Sequence, residues 1–308
     1  MLLKLNMIPT FPNFKPLELS DRTSIESYTS KYAPYSDFNF TSLWAWDTEG
    51  KRQISELNGN LVVLFTDYHS GEPFLSFLGD NEQEKTSILL LEYCIKNGLP
   101  PILRLVPEIS VENFQSLHLK FEDDNDNFDY IYSIRELTMM SGLKFQTKRG
   151  RSRKFSKENL DIRVETHDSI DKIIEETLEH ILDVWELRKL EQHKEFNIEH
   201  ERHCIKRLCN TFDSHNVRLT TVQASNETVA FSFDEVLPNK YSICHFWKAD
   251  VAYVGVFDFL MQSKARLLYE DGIELINYEQ DLGIDSLRRM KLSYRPVDYL
   301  KKYKIRSK

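Results

Sequence analysis

The densest concentration of chemistry-bearing side chains in the sequence is Asn277-Tyr278-Glu279-Gln280-Asp281-Leu282-Gly283, followed by Arg288, Arg289, Lys291 and Arg295. Residues 273–278 read as a strand. If the chain stays extended, Asn277, Glu279 and Asp281 reach one side of it, because alternate strand residues share a face. A short helix predicted over 285–292 then brings Arg288 and Lys291 onto one face at i, i+3. Two carboxylates beside several cations can hold an amine together with a phosphate or carboxylate, or one carboxylate can serve as a base. A structural ion-pair cluster around a buried turn is the other reading of the same residues.

A second group is His245-Phe246-Trp247-Lys248-Ala249-Asp250, at the end of another predicted strand. Alternation places His245 and Trp247 on one side, Phe246 and Lys248 on the other. His245 has the titration range of a base, although a strand histidine is more often simply packed. His200, Cys204 and Cys209 invite a zinc reading. However, Cys204 stands where the second histidine of H-E-x-x-H belongs, and Cys209 turns away on a helix, so no metal is expected. Serine-hydrolase, dinucleotide and P-loop signatures are absent from the sequence.

The elements that must position these residues come in two similar runs. In the first, a helix starting at Ser20 or Asp21 runs to about residue 32. Asn58-Gly59 predicts a hairpin between strands 52–57 and 61–66. Strand 73–78 follows, and then helix 82–97, whose Ile88, Leu91, Cys94 and Ile95 recur at helical spacing up to Gly98. A strand over 102–106, a short helix over 110–119 and a strand over 130–134 complete the run. Between the last two, Glu122-Asp123-Asp124-Asn125-Asp126 lacks the glycine and terminal glutamate of a calcium loop and reads as an exposed loop.

The second run is strand 162–165, a long helix 169–190, and helix 197–212. Strands 217–224, 228–236 and 241–247, helix 254–269, strand 273–278 and the helix at 285–292 follow. This order implies an α+β fold of two domains with mixed sheets flanked by helices. It resembles the GNAT (acyl-CoA N-acyltransferase) fold, twice in tandem. The boundary is expected near Ser141-Gly142, giving domains 1–140 and 141–308.

A chain of 308 residues, 41% apolar and 12% aromatic, suits two ordinary cores. Four cysteines without paired spacing suggest free thiols in a reducing compartment. The opening stretch, interrupted by Lys4 and Asn6, does not read as a secretory leader, and no apolar run reaches the ~20 residues of a membrane span. A soluble, cytoplasmic protein is expected, with peripheral contact to anionic lipid at the inner membrane surface as a variant. The charge is uneven. Lys144, Lys148, Arg149, Arg151, Arg153, Lys154 and Lys157 occur with no acid between them, so a chain of net charge −8 carries −15 outside this strip. Such a strip can meet a polyanion while the acidic body keeps the protein soluble; a solvated hinge between domains is the alternative.

The tail, Asn277-Tyr278-Glu279-Gln280-Asp281-Leu282-Gly283 and then Arg288, Lys291 and Ser293-Tyr294-Arg295-Pro296, resembles the signature of the phosphatidylglycerol lysyltransferase C-terminal domain family. Tyr130-Ile131-Tyr132, Ser141-Gly142, Lys148-Arg149 and Phe155 resemble the stretch joining that family's two halves. Trp185, Arg188, Phe231-Ser232, His245 and Lys248-Ala249-Asp250 fall in its expected order.

The resemblance implies an aminoacyl-tRNA-dependent aminoacyltransferase whose acceptor is a lipid or other small or peptidic molecule, working without a cofactor. Glu279, Asp281 and His245 would be catalytic. Lys248, Asn277, Arg288, Lys291, Trp185 and Arg188 would bind substrate. Lys148, Arg149, Arg151, Arg153 and Lys154 would dock the tRNA. The chain departs from the family pattern with Trp247 in place of an acid and Gly150-Arg151 in place of an Asn-His pair, and it carries no multi-helix membrane segment. An acyl-CoA-dependent N-acyltransferase is the alternative, disfavoured because residues 248–256 hold one glycine where a pyrophosphate-binding turn needs several. A non-catalytic binding module of the same fold is the third reading.

Overall fold

The computed structural model describes residues 7–67, 70–114, 118–192 and 198–308. Along the chain the elements are β1 (Lys15–Pro16), α1 (Arg22–Thr29), α2 (Phe40–Ala45), β2 (Gln53–Leu57), β3 (Asn60–Thr66), β4 (Pro73–Leu78), α3 (Gln83–Lys96), β5 (Leu103–Pro107) and β6 (Leu119–Asp123). There follow β7 (Asp129–Ser133), α4 (Ile134–Met139), α5 (Gln146–Glu158), β8 (Arg163–His167), α6 (Lys172–Gln192), α7 (Glu199–Asn210), β9 (Val217–Ala224), β10 (Glu227–Val236) and β11 (Tyr241–Ala249). The chain ends with α8 (Val256–Glu270), β12 (Leu275–Asn277), α9 (Asp285–Ser293), β13 (Asp298–Leu300) and β14 (Lys302–Ser307).

These elements make two compact units. One comprises Met1–Asp129, Gln280–Ile284 and Tyr299–Lys308; the other comprises Tyr130–Glu279 and Asp285–Asp298. The boundary expected at Ser141-Gly142 therefore falls inside the second unit, just past α4. The division is discontinuous because the chain's last strand pairs with β5 and β6 rather than with strands near it in sequence.

The first unit is built on a mixed sheet ordered β1-β2-β3-β4-β5-β14-β6. The Asn58-Gly59 turn takes positive φ at both residues, as the tight hairpin between β2 and β3 requires. The apolar residues of α3 (Leu90, Leu91, Cys94) pack with Val62, Leu75, Phe77, Leu103 and Val106 of the sheet. Beneath this core, the fully buried Lys302 ammonium meets Asp129 at 2.7 Å and also pairs with Asp37, while Ser36 bonds Asp129 at 2.7 Å.

The acidic run is exposed as expected except at Asp124, but part of it is strand. Its first residues belong to β6, and buried Asp124 is paired with Lys304 at 2.9 Å. Of the helix expected over 110–119, residues 115–117 lie outside the described residues; a 3-10 turn at Glu108–Ser110 and β6 flank them.

The second sheet is ordered β13-β7-β12-β11-β10-β9-β8. Strands β9, β10 and β11 form an antiparallel meander, and β11 then pairs in parallel with β12 across the α8 crossover. The basic strip is neither hinge nor loop: most of it is helix α5. Lys148, Ser152 and Phe155 recur at helical spacing and are buried, and Phe155 enters a cluster with Val222, Ala230, Ala249, Val256 and Leu260. The fold is α+β with mixed sheets flanked by helices, and each unit follows the strand–helix–helix, three-strand meander, helix, strand order expected of a GNAT-like domain.

Candidate functional site

Two irregularities in the second sheet define the site. The register between β10 and β11 slips where Phe233 faces Phe246 and Asp234 faces Cys244, so His245 has no opposite residue and forms a bulge. Parallel pairing of β11 with β12 then stops at Ile243 and Asn277, although β11 continues to Ala249. Beyond that point the two strands are no longer paired, and the residues that follow Asn277 fill the split.

Asn277 ends the strand itself. Its buried side-chain Oδ1 accepts the Glu279 N–H at 2.7 Å, and Glu279 takes a left-handed φ of 55°. The expected alternation of Asn277, Glu279 and Asp281 is lost at this turn. Lys291 secures the same turn from α9: its buried ammonium donates to the carbonyl oxygens of Tyr278 and Glu279, the latter at 3.2 Å. Asn277 and Lys291, expected to bind substrate, thus hold backbone.

The turn brings Glu279 to His245. The imidazole lies between two carboxylates, with Nε2 3.0 Å from Glu235 Oε2 and Nδ1 3.3 Å from Glu279 Oε1. Burial opposes charge on the ring, but the hydrogen bonds and charges of Glu235 and Glu279 prevail and raise its pKa to about 9. With its pKa raised above neutrality, both ring nitrogens can donate, and His245 orients the two carboxylates from a packed position. Side-chain exposure separates the roles: His245 is at 1%, Glu235 at 2% and Glu279 at 17%. Glu279 is the member of this triad that reaches the surface. The bulge also divides His245 from Trp247, which packs on Phe257, Tyr278 and Tyr294.

Lys248, near the end of β11, points to helices α6 and α7. Its ammonium bonds Glu201 Oε1 at 2.7 Å and sits 4.5 Å from the centre of the Trp185 ring. The expected substrate residues Lys248 and Trp185 are therefore together, with Glu201 paired to the Lys248 ammonium. Arg188 is exposed on α6, Arg288 is half-buried on α9, and Asp281 lies in the first unit, where its Oδ1 accepts the Gly283 N–H at 2.9 Å.

A wholly buried network underlies β10 and β11. Lys264 donates to Asp234 at 2.7 Å and Ser232 at 2.9 Å, and its nitrogen lies 3.0 Å from the Cys244 sulfur. Burial works against the Lys264 charge, yet Asp234 and its neighbours raise the pKa above the ordinary lysine value; burial also pushes the Cys244 thiol up to about 11. Nearby, Asp258 accepts from Tyr294 at 2.6 Å and pairs with Lys148 at 3.2 Å. Lys148 is thus buried against the core while Arg151, Arg153, Lys154 and Lys157 remain exposed on α5. Among the described residues, no group of three His, Cys, Asp or Glu side chains is arranged to hold a metal ion. Glu235 escaped sequence reasoning because an acid on a strand reads as a solvated face. Only the bulge, a tertiary feature, aims His245 at it.

Residues 29–306 match the family model "Phosphatidylglycerol lysyltransferase, C-terminal". No curated protein matches the chain. Among solved structures, a conserved protein of unknown function from Bacteroides thetaiotaomicron is 26% identical, with a TM-score of 0.82 over 98% of this chain and 100% of that one. The structure of L-PGS from Bacillus licheniformis aligns with a TM-score of 0.61 at 14% identity, over 97% of this chain and 93% of that one. The C-terminal domain of a lysylphosphatidylglycerol synthetase from Agrobacterium fabrum gives 0.63 at 12% identity, over 93% and 90%. The match to the family model spans most of the sequence, and the chain belongs to the phosphatidylglycerol lysyltransferase C-terminal family.

Proposed function

We propose that this chain is an aminoacyltransferase that takes its aminoacyl group from an aminoacyl-tRNA and passes it to a lipid or other small or peptidic acceptor. The observation that carries this reading is the Glu235–His245–Glu279 triad at the split between β11 and β12, with Glu279 alone reaching the surface. An aminoacyl ester is already activated, so alignment and charge stabilisation are the main demands on the enzyme. Glu279 either receives the ammonium group of the aminoacyl moiety or accepts the proton of the attacking acceptor. In transfer, the acceptor's nucleophile bonds to the ester carbonyl carbon, the bond to the ribose oxygen breaks, and the acceptor's proton passes to that oxygen. His245, held protonated, positions Glu279. A β11 peptide N–H at the bulge supplies the oxyanion contact. Lys248 and Arg288 stand as the cations for the tRNA terminus or an anionic acceptor.

Two further features support this donor. The exposed cations of α5 suit a nucleic-acid backbone. The N-terminus of α8, where a helix would receive the pyrophosphate of a coenzyme A donor, is packed by the chain itself. A Cβ added at Gly255 would lie 2.1 Å from the Arg151 carbonyl oxygen. No helix among the described residues is long and apolar enough to cross a membrane, so a lipid acceptor would be met at the membrane surface.

The test is co-purification: RNA is extracted from the purified protein and sequenced after chemical trapping of aminoacyl ends. Enrichment of one charged tRNA family supports the proposal. RNA no richer than in a variant with Arg151, Arg153, Lys154 and Lys157 neutralised, together with retention on immobilised coenzyme A, would replace it with the acyl-CoA reading.

A further inference from the structure

An open polar pocket of about 450 Å³ lies on the second unit, against α4, α5 and α8. Its volume falls in the range of small-molecule sites. The charge of its lining is one-sided: Arg149, Arg153 and Arg266 face it, and no carboxylate does. The floor is fixed. Ser152 donates to Gln262 Oε1 at 3.0 Å, and Gln262 Nε2 donates to the Thr138 carbonyl at 3.1 Å, tying the three helices together. Arg149 is committed as well, bonded to the carbonyl oxygens of Met140 and Gly142 at the end of α4. Arg153 and Arg266 are different. They approach from two helices, and neither has an ion pair among the described residues.

Both are exposed, and two guanidinium groups lining one pocket without counter-charge favour an anion there. Their planar forks match phosphate oxygens two at a time. Phe259, also in the lining and packed against Phe155 at 4.8 Å, offers an aromatic surface beside the cations. We propose that this pocket binds a phosphorylated ligand of nucleotide size, with Arg153 and Arg266 clamping the phosphate and the ligand's body over Phe259. The source is either a free nucleotide or a nucleotide carried by RNA. Arg153 is also one of the α5 cations read as docking tRNA, so the RNA-borne outcome rests on that reading; binding rather than transfer is the readout, so the two can fail separately.

The experiment is calorimetric titration of the full chain at low salt with AMP, inorganic phosphate and a short single-stranded RNA. The same titrations are run on the Arg266→Gln and Arg153→Gln variants, and thermal melting confirms that both are folded. AMP and phosphate are expected to compete for one site, and each substitution is expected to weaken AMP by about tenfold or more, as loss of a charge-assisted contact implies. Displacement of the RNA by AMP would assign the site to an RNA-borne nucleotide, and RNA binding indifferent to AMP would assign it to a free one. Absence of AMP binding, with or without phosphate binding, overturns the proposal. So does AMP affinity that neither substitution changes.

Discussion

The residue whose behaviour says most about the site is His245. Its pKa is raised from about 6.5 to about 9 by two carboxylates that overcome burial. The linkage has a definite sign. A group whose folded pKa exceeds its unfolded value stabilises the fold fully below the unfolded value, and that contribution is lost as pH rises through the folded one. The melting temperature is therefore expected to fall between about pH 6.5 and 9 in the wild type, and to fall less in a His245→Gln variant. Histidine NMR resonances followed over this range provide the direct check; a midpoint near 6.5 would remove the clamped cation from the account. Glu279→Gln should lower that midpoint, because one of the two opposing charges is gone. At this scale the sequence was half legible. It marked Glu279, His245 and Lys248 by type and position. It assigned Asn277 and Lys291 to substrate, because nothing local reveals that both are turned onto the backbone of one turn.

At the scale of elements, α5 separates a structural face from an exposed one. Phe155 is fully buried against Tyr253 and Phe259. Phe155→Ala should cost roughly 3–5 kcal/mol in denaturant unfolding, whereas Arg151→Gln on the exposed face should stay within roughly 0.5 kcal/mol. Similar costs for the two would contradict the assignment of faces. Gly255 takes φ +90° and abuts Arg151, so Gly255→Ala should destabilise by roughly 1–3 kcal/mol; wild-type stability would mean that α5 does not press on α8. Strands were the easiest elements to anticipate. Those at Pro73–Leu78 and Val217–Ala224 are bounded by turn residues and show continuous or alternating apolar character. Helix α5 was hidden because its buried stripe is a lysine, a serine and one phenylalanine among cations, a pattern without apolar periodicity. Strand β14 was missed because its partners lie near residues 103–123, far away in sequence.

For the molecule as a whole, the charge arrangement is the quantity that bears on function. A net charge of −8 coexists with an exposed row of cations on one helix. Replacing Arg151, Lys154 and Lys157 by Gln should weaken RNA binding and flatten the slope of log affinity against log salt, by roughly 0.7–0.9 for each phosphate contact removed. An unchanged slope would take α5 out of the RNA interface. Lys148 is unsuited to this test, since its buried pairing with Asp258 makes its loss a folding defect first. The repeated α+β architecture was readable because each half has the same order of strands and helices. The division into units was not, because the pairing of the final strand reveals itself only in the folded sheet.

Single-turnover discharge of a pool of labelled aminoacyl-tRNAs decides whether the split between β11 and β12 uses an aminoacyl ester. The wild-type protein and Glu279→Gln are compared, with RNA binding measured in parallel. The wild type is expected to discharge one tRNA family, and the variant to be slower by roughly 100-fold or more with its RNA binding retained. Discharge of no charged tRNA by the wild type, or equal rates for the two proteins, would contradict that use.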